Sequence, residues 1–171
     1  MTLKNVHLPA GTLTRQADHP AGLSPTGVAP AVYAAALSLV AALVHLWVAP
    51  GHFEVWWGYG SFFLAVAFAQ GLLAVVLLRW PGRAVPLAGI FGNLAVVALY
   101  VVTRTSGVPF GPQATRAEEA GVLDMATTAV ELATVVFLLS MLGGRARGVA
   151  VNAVLLAGAG FWALRLMGYL S

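Results

Sequence analysis

Five runs of about twenty apolar residues, separated by short turns rich in Pro, Gly and Arg, constrain this chain more than any other feature. A bilayer core of about 30 Å needs about 20 such residues per helix, so each run is long enough to cross it. Composition closes the soluble alternative. Only 9% of the 171 residues are charged and 60% are hydrophobic, whereas a soluble domain averages about 25% charged. So few charges cannot cover a water-facing surface, and lipid must be the solvent for most of the chain. The sequence therefore predicts an all-α integral membrane bundle of five transmembrane helices, with the lipid bilayer as its first partner.

Taken in order, residues 1–28 are polar, with Lys4, His7, Arg15, Asp18, His19 and three prolines. They read as a mobile tail, and residues 29–171 as a single transmembrane domain. Residues 1–28 do not read as a cleavable signal, so the first span is expected to double as the insertion signal. Pro30 suits a helix start, where its missing N–H costs nothing. Span one then runs from Ala31 to Val48 and is stopped by Pro50-Gly51. Span two covers Tyr59–Leu78, span three Val85–Val102, span four Gly121–Leu142 and span five Val149–Tyr169. The connection Thr103–Glu119 is rich in turn formers, and Gly143–Arg147 reads as a tight basic turn. Lys4, Arg15, Arg79, Arg83, Arg145 and Arg147 fall on one side of the resulting topology, which by the positive-inside rule places the N-terminus in the cytoplasm. Trp47, Trp56, Trp57, Tyr59 and Tyr100 then fall at the outer interface, where amphipathic rings are favoured.

Several chemistries are excluded. With no cysteine there are no disulfides and no thiolate metal sites. The net charge of +3 is spread thinly, which offers no nucleic-acid patch. A phosphate-binding glycine loop and a Ser–His–Asp set are absent, so no nucleotide is expected. Haem held between helices needs two histidines inside spans, and only His45 qualifies, so no haem is expected either.

What polar chemistry there is concentrates between His45 and Trp57, read as a loop of about ten residues holding His45, His52, Glu54 and three tryptophans. By depth, His45, Asp124 and Arg165 form an upper layer, and Gln70, Asn93 and Glu131 a lower one. Ionised groups at membrane depth normally face the bundle interior, so span four presents Asp124 and Glu131, two turns apart, to a polar cleft open outward. Gln70, Asn93, Arg104, Glu131 and Arg165 are its candidate lining. Imidazole with carboxylate is the ligand set of zinc, copper or iron, which makes His45, His52, Glu54 and Asp124 the candidate ligands of a transition metal. The spacing matches no fixed metal motif. Glu131 is the candidate acid/base. Simpler readings stand beside these: an Asp124–Arg165 ion pair, interhelical hydrogen bonds for Gln70 and Asn93, and an Arg104–Pro112 segment that is only a connector rather than a lid.

The stretch His45–Gln70, with Asn93, Arg104–Pro112 and Asp124…Glu131, resembles small multi-pass membrane proteins of unknown function from high-GC bacteria, over about residues 31–140. The resemblance implies a bacterial plasma (inner) membrane location and assigns no catalytic residue. Function is thus expected to be cation binding in an outward cleft, for metal handling or metal-dependent chemistry on a membrane-soluble substrate. The alternatives are an accessory subunit that docks other membrane subunits or its own copies, and a proton-coupled transporter of a small solute.

Overall fold

A computed structural model describes residues 25–80 and 82–167. Most of the expected tail, with His7 and His19, lies outside the described residues, as do the last residues of expected span five. Five helices follow one another: α1 (Pro25–Val55), α2 (Trp57–Arg79), α3 (Ala84–Thr105), α4 (Val122–Met141) and α5 (Gly144–Leu166). The first four are long and apolar enough to cross a membrane. The fifth is helical over 23 residues but is not among those four. It begins earlier than expected, and this draws Arg145 and Arg147 into its opening turns. There the Arg147 side chain donates to the carbonyls of Leu139, Ser140 and Leu142 at 3.0–3.1 Å, supplying partners that the end of α4 lacks. The expected basic turn is therefore reduced to Leu142-Gly143.

The largest departure from expectation is in α1. Pro50-Gly51 does not stop it; the helix runs on to Val55 and is 31 residues long, about 46 Å at 1.5 Å per residue. Proline forfeits one main-chain hydrogen bond, a loss that membrane helices tolerate when neighbouring groups compensate. At the other end α1 starts at Pro25, so Pro30 lies inside the helix rather than at its first turn. The supposed loop His45–Trp57 is therefore helix on both sides of a single extended residue, Trp56. Its N–H still bonds the carbonyl of His52, and its own carbonyl starts α2.

Small residues set the packing. Ala34, Ala35, Ser38, Ala41, Ala42 and His45 recur at three- and four-residue intervals and are buried on one stripe of α1. Without bulky side chains on that stripe, backbones approach closely, which is how membrane helices associate where lipid is as apolar as leucine. α1 packs against α2 and α4, α3 packs against α4, and a lighter α2–α3 contact closes the ring. Leu77, Ile90 and Leu138, each fully buried, fill the end nearest the α2–α3 turn. α5 meets the bundle through α4, where Ala150 joins the same apolar cluster. Outward-facing Leu43, Leu46, Phe68, Leu72 and Val136 present apolar side chains to the surroundings, as lipid requires.

Candidate functional site

Helix register decides what meets what. Residues seven apart on one helix share a face, whereas residues two apart lie about 200° round from each other. Because α1 continues through Pro50, Ser38, His45 and His52 fall on one face, and Glu54 is turned away and exposed. The α1–α2 corner and the α3–α4 loop come together at one end of the bundle. Beneath them, between α1, α2, α3 and α4, lies a cavity of about 200 Å³. Its walls are mainly apolar, with Val44, Phe62, Phe63, Val96 and Leu99 among them, and both His45 and His52 line it.

On its polar side His45 Nε2 stands 3.0 Å from Glu131 Oε1. The pair is deep: His45 is 5% exposed and Glu131 1%. A nitrogen and an oxygen at this separation need at least one proton between them. Removing both groups from lipid in this way is what a mid-membrane ionisable side chain requires. His45 Nδ1 has no partner among the described residues. Glu131 makes this one hydrogen bond, and its second oxygen has no partner among them either.

The remaining polar lining is spent on main-chain carbonyls. Thr127 donates to Leu123 O at 2.8 Å, Thr128 to Asp124 O at 2.9 Å and Thr103 to Tyr100 O at 2.8 Å. Tyr59 donates to Phe110 O at 2.9 Å. His52 Nδ1 lies 2.9 Å from Val48 O. A carbonyl only accepts, so Nδ1 carries the proton in that bond. The His52 ring also lies against Phe63, with centroids 3.9 Å apart.

Arg104 organises the mouth. Its guanidinium donates to Glu118 Oε2 at 2.5 Å and to Asp124 Oδ2 at 2.7 Å, and it sits 5.1 Å from the centre of the Tyr100 ring. Asp124 Oδ2 also accepts from Gly121 N at 3.1 Å, so one carboxylate both caps α4 and holds the clamp. The loop 106–121 is folded down by these bonds and by Glu118 N to Thr103 O and Thr115 N to Val108 O. Three left-handed residues, Gly107, Gly111 and Thr115 (φ 60°), shape the fold-down. Gly107 has φ 72°, and a Cβ there would fall 2.5 Å from Arg116 O; Gly111 has φ 85° and abuts the Tyr59 hydroxyl.

The expected metal donors do not converge. His45 is turned to Glu131, Asp124 to Arg104, and Glu54 points away, so the set His45, His52, Glu54 and Asp124 supplies no shared coordination sphere. Among the described residues no three His, Cys, Asp or Glu side chains are grouped to hold a metal ion. Asp124 pairs with Arg104; the expected Asp124–Arg165 pair involves a side chain outside the described residues.

Gln70 and Asn93 are not in this cavity. They sit further along the bundle in a closed chain: Ser38 Oγ to Gln70, Gln70 Nε2 to Asn93 Oδ1 at 3.0 Å, and Asn93 Nδ2 to Gly89 O at 2.8 Å. Of the expected interface aromatics, Trp47 and Trp57 are exposed, whereas Trp56, Tyr59 and Tyr100 are half-buried in the bundle. Trp56 lies between Tyr59 and Phe110, at 5.1 and 6.3 Å. The lining residues that sequence reasoning missed, Phe62 and Phe63, carry no mark in a chain so rich in apolar helix, whereas Thr127 and Thr128 are readable from their place between Asp124 and Glu131 on span four. The spacing of Ser38, His45 and His52 was the readable signal, and it is legible only once α1 is allowed to continue.

These features define a class: a helical membrane protein with a half-open, aromatic-walled cavity over a buried imidazole–carboxyl pair. Comparison with known protein families, curated proteins and solved structures finds no match that would narrow that class to a family.

Proposed function

We propose that this is a multi-span membrane protein that binds a small, largely apolar molecule carrying one polar group. The molecule occupies the cavity between α1 and α4, and the His45–Glu131 pair receives its polar group. The observation that carries the reading is this pair on the wall of an otherwise apolar cavity, with hydrogen-bonding capacity left unused. Pockets of this composition, mostly apolar with a few convergent polar groups, are where small molecules bind. The volume of about 200 Å³ lies below the range of about 300–1,000 Å³ typical of drug-sized ligands, so the molecule is small.

In this reading α5 is a fifth crossing and the N-terminus faces the cytoplasm. Arg79, Arg83, Arg145 and Arg147 cluster at the end away from the cavity, which supports that orientation in a bacterial plasma membrane. The cavity then opens to the outer side. Zinc, copper or iron handling is not carried forward, because the donors expected to bind them turn to other partners. Proton-coupled passage of the same molecule is a second reading, favoured by the shared proton of the His45–Glu131 contact.

Leu99 lines the cavity, and Leu99→Trp would fill it. Native mass spectrometry of protein extracted in mild detergent should show a small molecule retained by the wild type and lost from Leu99→Trp. Equal retention by both, or none by the wild type, ends the reading.

A further inference from the structure

The structure assigns a charge to the ligand: we infer that the cavity takes a small organic cation, an amine protonated at nitrogen and carried on an apolar body. This rests on the proposed binding role and specifies the ligand of that same cavity.

Three independent features of the lining lead there. The first is hydrogen-bond polarity. Thr103, Thr127, Thr128, Tyr59 and His52 each direct a proton to a main-chain carbonyl. What they leave facing the cavity are lone pairs on the threonine oxygens and on His52 Nε2. Glu131 adds an oxygen without a partner among the described residues, on a side chain 1% exposed. Two donors are exceptions: the Tyr100 hydroxyl forms no hydrogen bond there, and Arg104 Nε is buried without a partner among the described residues, as is His45 Nδ1, whose role follows its tautomer. With Arg104 already held by two carboxylates at the mouth, the acceptors outnumber the free donors and recruit a ligand that donates.

The second feature is charge. One cationic side chain, Arg104, faces three carboxyls, Glu118, Asp124 and Glu131, and it is already bound to the first two. Glu131 is left with an imidazole, a weaker counter-charge than a guanidinium. A buried carboxylate gains most from a cation that also hydrogen-bonds it. The third feature is the wall. Phe62, Phe63, Tyr59 and Tyr100 offer aromatic rings, and the Tyr100 ring already holds a guanidinium 5.1 Å away. Ring faces attract ammonium groups, most strongly where water is excluded. An inorganic cation would want several oxygens at close range and has no use for such walls. An anion would meet the acidic excess.

The geometry also ranks ligands. An N–H⁺ donor satisfies Glu131 and the ring faces together, a quaternary ammonium satisfies only charge and rings, and a neutral isostere satisfies neither. The probes are protonated benzyldimethylamine, benzyltrimethylammonium and neopentylbenzene: the second replaces the N–H of the first by a methyl, and the third keeps the shape of the second while removing the charge. Binding is read by calorimetry on protein in phosphatidylcholine nanodiscs, with empty nanodiscs subtracted. The protonated amine should bind tightest, and the neutral isostere at least about tenfold more weakly, the scale expected of a desolvated cation–π contact joined to a charged hydrogen bond. Glu131→Gln should weaken both cations at least about tenfold and leave neopentylbenzene unchanged, because only the charge is removed. Glu54→Gln, on the exposed side of α1, should change nothing.

Equal affinity for all three probes overturns the cation assignment while leaving the cavity a binding site. No saturable binding of any probe overturns the binding role itself. The wild-type series decides the assignment by itself should Glu131→Gln fail to fold.

Discussion

The two ends of this bundle are built from the same four helices and treat polar groups in opposite ways. At the end nearest the α2–α3 turn, Ser38, Gln70, Asn93 and the carbonyl of Gly89 form a chain in which each member bonds the next, and Leu77, Ile90 and Leu138 pack close by. At the loop end, His45 and Glu131 bond each other but leave a nitrogen and an oxygen without partners among the described residues, beside a cavity. Closed networks specify a packing arrangement and hold it. Open ones cost the protein stability and persist where something else completes them. A shallower, almost wholly apolar hollow also borders Gln70, Gly89 and Asn93, so the completeness of the hydrogen bonding, not the presence of a cavity, separates scaffold from site.

Breaking the open pair tests the contrast most severely. Removing one partner of a buried pair leaves the other uncompensated, a loss of about 3–5 kcal/mol, whereas replacing both with apolar residues is often neutral. His45→Leu should therefore destabilise the bundle by about 3 kcal/mol, and His45→Leu/Glu131→Leu should recover most of it. Unfolding in mixed detergent micelles measures both. A double variant as unstable as the single one would mean that the pair is structural in a way the cavity does not explain.

The closed chain should respond less and differently. Gln70→Leu leaves Asn93 Oδ1 without its donor, while the Ser38 hydroxyl keeps the main-chain carbonyl of residue 70 and Asn93 Nδ2 keeps Gly89 O; interhelical hydrogen bonds in membranes are worth about 1–2 kcal/mol at most. The same unfolding assay should register a loss of about that size, while ligand retention by the cavity stays at the wild-type level. Retention that falls in step with stability would erase the distinction between the two ends.

Much of this architecture was legible in the sequence, and the failures have one physical root. Four apolar stretches became four helices long enough to span a membrane, because length and near-absence of charge leave lipid-exposed backbone no alternative. Three of them lie within about three residues of expectation, and α1 is longer by six residues at its start and seven at its end. Pro50-Gly51 was misread as a stop. In water that reading is sound; here the helix continues to Val55. The error propagated by depth. With α1 ending at Val48, His45 seemed to lie near the surface beside Asp124. With α1 ending at Val55, it lies ten residues in, level with Glu131, which is nine residues into α4. The metal set drew on that misplaced layer, and Glu54 entered it only because a loop was assumed where the helix turns it outward. Cavity walls such as Phe62 and Phe63 are invisible in a chain where nearly every helical position is apolar.

The loop over the cavity is the third point at which the two ends differ, since the opposite turn is only a few residues long. Gly107→Ala forces a side chain into a left-handed conformation and against the Arg116 carbonyl, at a cost of about 1–2 kcal/mol. The cost should appear locally. Hydrogen exchange across residues 106–121 should speed up, while exchange in α2 and α3 near Gln70 and Asn93 is unchanged. Faster exchange at both places would show that the loop is part of the scaffold rather than a cover on it.

The smallest effect belongs to the clamp. The Glu118 and Asp124 side chains are 42% and 40% exposed, so solvent screens their pairs with Arg104. Exposed ion pairs contribute about 0–1 kcal/mol, and Arg104→Gln should cost no more than that in the unfolding assay. What remains should depend on salt, because charges in contact with water are screened over about 8–10 Å at physiological ionic strength. The gap between wild type and Arg104→Gln should therefore narrow as sodium chloride is raised, whereas the gap between wild type and Gln70→Leu should hold steady. A salt-insensitive Arg104 effect larger than that of Gln70→Leu would place the strongest polar interaction at the mouth of the cavity, and the loop end would then be the closed network of the two.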